Sequence, residues 1–488
     1  MDSASSAASH LSTHPDLSTG PDLARRPAPA LHPHLSIRPL PETDIDRALD
    51  LAYLVFHDTP EEEKRKHHHD LLLGCHRIGA YDGDALVGVV VALPFTVSVP
   101  GGELPCPSLT FVSVAPTHRR RGVLSGMIAK LYEKCVADGH PLAALWASED
   151  AIYGRFGFGP ATHGNTVEIN SERPLALRIT PDDGPLRLVD PADAPALIGE
   201  YYDRTRARRA GRIARSEAWW SEEWLVTEDE EDDELSPPRV VVLGTRPDAT
   251  QSGATQPNAT LPNATQSDAT QSDGTQSNST QAHADHTAQP SSPPNITGYA
   301  VYRTKTRDDA PGLVRLDELE ADTPQAAAAL WRYLASIDLT GVIRAWGRPV
   351  DDPLLLFAAD RDQVRVTGQF PALWVRLVDV RAALLARSWA APADLVLEVT
   401  DAQLPANEGR FRLTVDGETA SYTAAYDRTD APADLTLDVR DLAAAYLGGN
   451  QITAVVRAGL ATEHTPGTAA TLDAALRTDH LPHTVDEF

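Results

Sequence analysis

From about Leu35 the apolar and polar positions follow a readable order. A short strand, Ile37 to Leu40, precedes a helix with Thr43 as its N-cap and Asp44 and Asp46 in its first turn, ending near Phe56. Thr59-Pro60 opens a second helix, because proline suits the first helical position and Glu61 to Glu63 complement the positive helix end. His67, His68 and His69 fall on that helix about 100° apart, so they cannot share one metal and read as a solvated face. Period-two patterns then predict strands at His76 to Tyr81, Leu86 to Leu93, Phe95 to Val99 and Leu109 to Val114, with turns at Asp82-Gly83 and Pro100-Gly101-Gly102. A loop, Ala115 to Arg121, leads into a helix from Gly122 to about Asp138, a strand from Ala143 to Ala147 and a short helix at Asp150 to Phe156.

The pattern restarts near Asn165. Strands at Leu186 to Val189, Gly298 to Arg303 and Leu313 to Leu319 and helices at Ala192 to Ala210 and Gln325 to Ser336 predict a second, similar α/β unit, with Trp219 and Trp220 packed inside it. A third unit alternates apolar and polar residues over Leu395 to Val399, Arg410 to Val415 and Leu435 to Val439, then adds a helix from Asp441 to Leu447. The whole is an α+β (mixed α/β) chain. Its domains are 35–165, 166–369 and 370–488, with residues 1–34 as a disordered tail and 227–294 as a low-complexity insertion.

Composition changes this picture in a few places. With 488 residues, 42% hydrophobic and 23% charged, the chain needs several cores. No apolar run reaches the roughly 18 residues that span a bilayer, and the Ser-, Ala- and His-rich start lacks the regions of a secretory signal. We therefore expect a cytoplasmic protein without a membrane partner. The Asn-x-Ser/Thr triplets at Asn258, Asn263, Asn278 and Asn295 then have no glycosylating compartment. Cys75, Cys106 and Cys135 are too scattered for a metal or redox motif and read as buried thiols, so no metal is expected. A net charge of −26, part of it in the tract Glu228 to Glu234, argues against nucleic acid and toward cationic ligands.

The chemistry lies in Phe111-Val-Ser-Val-Ala-Pro-Thr-His-Arg-Arg-Arg-Gly-Val-Leu-Ser125, where a strand ends at Ala-Pro and a basic, Gly-containing turn opens a helix. Free amide N–H groups, the positive helix end and arginine side chains there suit a phosphate. The segment lacks both Gly-Lys-Ser/Thr and Gly-x-Gly-x-x-Gly, which excludes a Walker loop and a dinucleotide fingerprint.

This segment resembles the coenzyme A loop of the GCN5-related N-acetyltransferases, with Arg119, Gly122 and Leu124 at the patterned positions; Leu124 stands where Gly or Ala is usual. Together with Ala147-Ser-Glu-Asp-Ala-Ile-Tyr-Gly-Arg-Phe-Gly-Phe-Gly-Pro-Ala161 it resembles the Eis (enhanced intracellular survival) subfamily. The resemblance implies acetyl-CoA as co-substrate, Val112, Ser113 and Val114 beside its pantetheine arm, and Arg120, Arg121, Gly122, Val123, Leu124 and Ser125 around its pyrophosphate. It adds Ser148 and Glu149 as further coenzyme contacts, Tyr153 as general acid and the terminal carboxylate of Phe488 as general base. An acidic and aromatic acceptor pocket maps onto Phe56, Asp58, Phe111 and Glu487, although Asp58 reads equally well as a plain turn residue.

The resemblance further implies a second acetyltransferase fold without its coenzyme site, since no Arg-Gly turn follows Leu313 to Leu319. It also implies a C-terminal domain like sterol carrier proteins, and a homohexamer. The activity it implies is acetylation of primary amines on polycationic small molecules such as aminoglycosides. Acetylation of protein lysines uses the same chemistry, and a non-catalytic lipid-binding role is the remaining alternative.

Overall fold

The computed structural model describes residues 31–227, 232, 234–244, 296–307, 310–417 and 422–488. The tail read at 1–34 and the insertion read at 227–294, with its four Asn-x-Ser/Thr triplets, lie largely outside the described residues. The chain divides into two units, one holding Met1–Thr162, Pro371–Pro482 and Asp486–Phe488, the other His163–Phe370 and His483–Val485.

The first unit opens with β1 (Leu35–Pro39), α1 (Ile45–Phe56) and α2 (Glu62–Leu73). A short 3-10 turn, Glu42–Asp44, replaces the expected start at Thr43. Asp44 takes the N-cap position without capping the helix; its carboxylate instead accepts from Tyr81 Oη at 2.8 Å and Arg47 Nη1 at 2.9 Å. Ile45, Ala48, Leu49 and Ala52 are buried at helical spacing and set one face of α1 against the sheet. The meander β2 (His76–Asp82), β3 (Ala85–Val99) and β4 (Gly102–Val114) follows.

β3 corrects the expectation of two strands, since it runs unbroken through Pro94. Pro94 pairs with Pro107 where β2 has already ended at Ala92 and β5 has yet to begin at Ser108. Each proline's missing N–H thus faces an open strand edge, where it leaves no ladder bond unmade. Next come α3 (Val123–Asp138), β5 (Leu142–Trp146), α4 (Asp150–Tyr153) and β6 (Gly159–Pro160).

The second unit contains β7 (His163–Asn170), β8 (Leu186–Val189), α5 (Ala194–Arg206), α6 (Glu217–Trp219), β9 (Arg239–Gly244), β10 (Ile296–Lys305), β11 (Gly312–Ala321), α7 (Pro324–Leu334), β12 (Thr340–Pro349), α8 (Leu354–Phe357) and β13 (Val364–Pro371). Its sheet runs β13-β7-β12-β11-β10-β9-β8. β9 falls inside the segment read as insertion; the acidic run before it masks an apolar Val-Val-Val-Leu core whose side chains are buried. Trp219 and Trp220 are buried, and Trp220 joins Tyr202 and Trp224 around the Arg215 guanidinium.

α7 begins differently from α3. Its N-cap Thr323 accepts from the Ala326 amide, so one of the free amides of the first turn is already taken. On β11, Glu318 is buried and takes both guanidinium nitrogens of Arg215 and the hydroxyl of Tyr299, while Glu320 pairs with Arg212. Burial alone would raise the Glu318 carboxyl, but Arg215 beside it holds it below its ordinary value.

The rest belongs to the first unit. β14 (Leu373–Leu377) inserts between β5 and β6, completing a sheet of order β1-β2-β3-β4-β5-β14-β6. β14 has no counterpart in the elements read from sequence, because pairing across more than 200 residues leaves no local signal. α9 (Val380–Ala386), β15 (Ala393–Thr400), β16 (Gly409–Asp416), β17 (Thr423–Arg428), β18 (Leu435–Asp438), α10 (Val439–Tyr446), α11 (Ile452–Arg457), β19 (Thr462–Glu463) and α12 (Thr468–Leu476) follow, with a sheet of order β17-β16-β15-β18-β19. Arg387 is buried here and donates to the carbonyls of Tyr446, Leu476 (2.6 Å) and Ser388 (3.0 Å), closing the C-terminal ends of α10 and α12.

Candidate active site

The open end of β4 is the first element of the site. β4 and β5 pair only at Ser108/Ala144 and Leu109/Leu145, so from Thr110 to Val114 the strand is laddered to β3 alone. The β3 ladder itself slips between Val89 and Val91, where β4 carries one extra residue at Phe111–Val112. Phe111 absorbs the bulge with φ 50, a left-handed value that a bulky residue adopts only where its surroundings compel it. Backbone groups freed there can serve a ligand lying along the strand. Ser113 is buried, and its Oγ has no hydrogen-bond partner among the described residues.

The turn that follows is built to expose amides. A 3-10 turn, Pro116–His118, is tied down by His118, whose ring nitrogens lie 2.8 Å from Thr117 Oγ1 and 3.2 Å from Asp82 Oδ2. Arg120 (φ 63) and Gly122 (φ 79) then take left-handed conformations, and Gly122 caps α3 with no side-chain hydrogen bond. The first bond of the helix runs from the Gly126 amide to the Gly122 carbonyl, leaving the amides of Val123, Leu124 and Ser125 without intrahelical acceptors. No acidic residue stands in that first turn, and Arg119, Arg120 and Arg121 are exposed around it. The helix sits close on the sheet because β3 carries Gly88, where a Cβ would come within 2.7 Å of Val123 Cγ1.

Tyr153 closes α4 beside this end of the sheet. Its side chain packs in one core with Phe156 and Phe158, against which the partly buried Val112, Val114, Leu124 and Ile152 are set. Its ring meets Phe158 edge-on at 6.2 Å. Burial, with the nearby Glu149 charge, pushes the phenol up to about 12. Ser148 and Glu149 are exposed in the loop between β5 and α4.

On the opposite face of the sheet, α1 and α2 bring together residues that the sequence separates. Phe56 is 49% exposed at the end of α1. His57 (φ 60) ends that helix, and the Asp58 amide donates back to the Tyr53 carbonyl. Asp58 Oδ1 accepts from the Thr59 amide at 2.7 Å and Oδ2 lies 3.8 Å from Lys64 Nζ, so half of this carboxylate serves the turn.

His68 corrects the solvated reading of the histidine run. It shares a 2.7 Å hydrogen bond with Tyr53 Oη and sets its ring edge-on to Phe111 at 5.1 Å. Burial, and behind it the charges of Lys64 and His67, lowers its pKa to about 4, against the pull of Asp58. No pattern local to α2 shows this, because the partners lie on α1 and β4.

Phe488 sets its ring edge-on to Phe95, on the arm of β3 beyond Pro94, with centroids 5.3 Å apart. Glu487 is exposed and Asp486 buried. Phe95 was not among the residues singled out from sequence; its only local signal is an apolar residue after a strand proline. The site residues therefore fall into three groups, at the β4–α3 turn with Tyr153, at α1–α2 with Phe111, and at Phe95 with Phe488. Among the described residues there is no cluster of three or more His, Cys, Asp or Glu that could hold a metal, and no helix long and apolar enough to cross a membrane.

Comparison with known families matches residues 36–161 and again 267–381 to acetyltransferase (GNAT) domains, and residues 380–485 to a sterol carrier protein domain. An uncharacterised N-acetyltransferase of Streptomyces avermitilis is 37% identical over 438 residues, covering 88% of this chain and 94% of the relative. The N-acetyltransferase Eis of Mycobacterium tuberculosis is 31% identical over 420 residues, covering 84% of this chain and 88% of the relative. Among solved structures, Eis1 from Mycobacterium abscessus superposes with a TM-score of 0.72 at 29% identity, over 93% of this chain and all of that one. A GCN5-related N-acetyltransferase from Kribbella flavida shares the fold, with a TM-score of 0.66 at 22% identity and coverage of 93% and 100%.

Proposed function

Because the chain belongs to the Eis family of N-acetyltransferases, we propose that it moves the acetyl group of acetyl-CoA to primary amines of polycationic small molecules, aminoglycosides among them. The observation that carries the coenzyme half of this reading is the unladdered end of β4 leading into an uncapped helix behind three exposed arginines. Val112, Ser113 and Val114 offer donors and acceptors along the strand, and residues 120–125 offer amides and cations at the turn. A pantetheine arm and a pyrophosphate need these two kinds of partner. Ser148 and Glu149 flank the same end of the sheet.

In this mechanism a neutral amine forms the new C–N bond at the thioester carbonyl and the C–S bond breaks. Tyr153 gives its proton to the departing sulfur; a phenol held near 12 stays protonated at neutral pH. The proton lost from the attacking nitrogen goes to the Phe488 carboxylate, directly or through a water. That carboxylate is a weak base in water, so it also helps by holding a cationic amine in place. Phe56, Asp58, Phe111 and Glu487 form the acceptor side, where carboxylates beside aromatic faces suit ammonium groups.

The cytoplasm is the compartment we assign, and a homohexamer the assembly. A panel that sets aminoglycosides and polyamines against Lys-rich peptides separates the leading reading from lysine acetylation of proteins. Turnover with the small cations supports it; turnover with peptides alone replaces it by the protein-directed activity.

A further inference from the structure

Tyr153 stands at the end of a four-residue helix, α4, and a single turn of that length is not stable by itself. A glycine-rich run follows it, and the groups that these glycines admit come from the C-terminal part of the same unit, Pro371–Pro482. A Cβ on Gly154 would lie 2.5 Å from Arg440 Nη1, at the start of α10. Gly157 has φ 83, and a Cβ there would collide with the Arg376 guanidinium. At Gly159 a Cβ would strike backbone, the Arg440 carbonyl and, at 2.8 Å, the Ala444 nitrogen. Only a residue without a side chain lets two backbones come this close. Hydrogen bonds fix the residues between. Gln403 Nε2 donates to the Arg155 carbonyl at 3.3 Å. Asn450 Nδ2 donates to the Pro160 carbonyl at 2.8 Å and to the Ala444 carbonyl at 2.7 Å, so one amide joins β6 to α10. Arg376 is buried and held by both oxygens of Asp401, at 2.8 and 2.6 Å. From the acetyltransferase side, Tyr132 Oη donates to the Phe156 carbonyl at 2.7 Å. Residues 401, 403, 440, 444 and 450 all fall in the stretch matched to a sterol carrier protein domain.

We infer that the sterol-carrier-like part of the chain has a task in acetyl transfer: it is the bed that fixes the turn after Tyr153, and Arg440 and Asn450 are positioning residues for the phenol. This rests on the proposed role of Tyr153 as general acid. A proton donor works only while its oxygen is held within hydrogen-bond reach of the group it protonates. Ahead of α4 the chain is exposed at Ser148 and Glu149. Behind it, contacts with the C-terminal part recur at residues 154, 155, 157, 159 and 160. The backbone that carries the phenol is therefore set from the side of α10, and loosening that side displaces the donor without touching the amides at the start of α3.

The test uses the untagged full-length protein and the variants Arg440→Ala, Asn450→Ala and Asn450→Gln, each with Tyr153 intact and with Tyr153→Phe. Arg440→Ala and Asn450→Ala are expected to lower kcat by roughly tenfold, the scale of loss when a catalytic group shifts by a fraction of an ångström, with the Kd for acetyl-CoA unchanged. Hydrogen–deuterium exchange over residues 150–161 should quicken in both. Asn450→Gln, which keeps the amide donor, is expected to recover part of each effect. In the Tyr153→Phe background the same substitutions should cost nothing further in kcat. An equal loss in that background would mark the effect as general destabilisation and overturn the inference, as would full turnover with unchanged exchange in both alanine variants. If Tyr153→Phe alone leaves turnover intact, the general-acid reading falls and the catalytic part of this inference falls with it. The exchange measurement stands apart from that reading, and unchanged exchange in both alanine variants would overturn the bed itself.

Discussion

The ring of Phe488 stands edge-on to that of Phe95, centroids 5.3 Å apart and planes at 77°. This geometry suits the quadrupoles of two aromatic rings and contributes about 0.5–1.5 kcal/mol beyond burial. Phe95→Ala is therefore expected to reduce kcat by roughly 2- to 10-fold through a looser terminus, with little change in acetyl-CoA affinity. Steady-state kinetics with both substrates varied, beside coenzyme titration calorimetry, reads the two effects separately.

Tyr153→Phe removes the hydroxyl and keeps the ring that packs with Phe156 and Phe158. Turnover should fall by roughly 10²–10⁴-fold, the usual range for a lost general acid, while the protein still binds acetyl-CoA. Because burial pushes this phenol up to about 12, its donor form persists as pH rises. The wild-type rate should accordingly show no alkaline decline from this group near 10, where a free tyrosine titrates.

Gly122→Ala places a Cβ on a residue with φ 79 at the entrance of α3. A left-handed conformation costs an L-residue roughly 1–2 kcal/mol. The turn should relax away from its amide-exposing form, raising the Kd for acetyl-CoA by about tenfold in calorimetry with a smaller effect on kcat.

His68 links pH to stability. Its folded pKa of about 4 lies below the value near 6.5 of an unfolded histidine, so between these two the unfolded chain binds the extra proton. The stability associated with the neutral ring is complete above about pH 6.5 and is lost as pH falls toward 4. Urea unfolding at pH 7 and pH 5 should show His68→Gln losing about 1–2 kcal/mol less than the wild type on acidification. An equal loss in both proteins would mean that His68 is not held neutral.

Arg387 offers three donors to three carbonyls in a buried setting, and burial lowers its pKa to about 10. Arg387→Met relieves a buried charge but leaves the Tyr446 and Leu476 carbonyls without their donor. A net destabilisation of about 2–4 kcal/mol is expected from the unsatisfied groups. The thermal midpoint should fall while acetyl-CoA affinity, measured below the transition, holds.

What the sequence made legible was what is encoded locally. The meander of β2 to β4, the turn at Arg119 to Gly122 and the helix after it follow from alternation, glycine and charge within a few residues of each other. β14 was hidden because its partner, β5, lies more than 200 residues away. β9 was hidden because the acidic run before it dominated the composition of its surroundings. The run His67 to His69 looked solvated because helical phase is uninformative when every position carries the same polar residue; only Tyr53 and Phe111, brought in by the fold, single out His68. Phe95 escaped for the same reason, since it acquires meaning only from a partner distant in sequence.

The most direct test of the account is release of the coenzyme A thiol by the untagged full-length protein given acetyl-CoA and an aminoglycoside, with the product followed by mass spectrometry. The account predicts thiol release that depends on the amine, one acetyl group gained by the aminoglycoside for each thiol freed, and loss of both in Tyr153→Phe. Bound acetyl-CoA with no amine-dependent release from aminoglycosides or polyamines would contradict the assigned substrate class and leave only the coenzyme site standing.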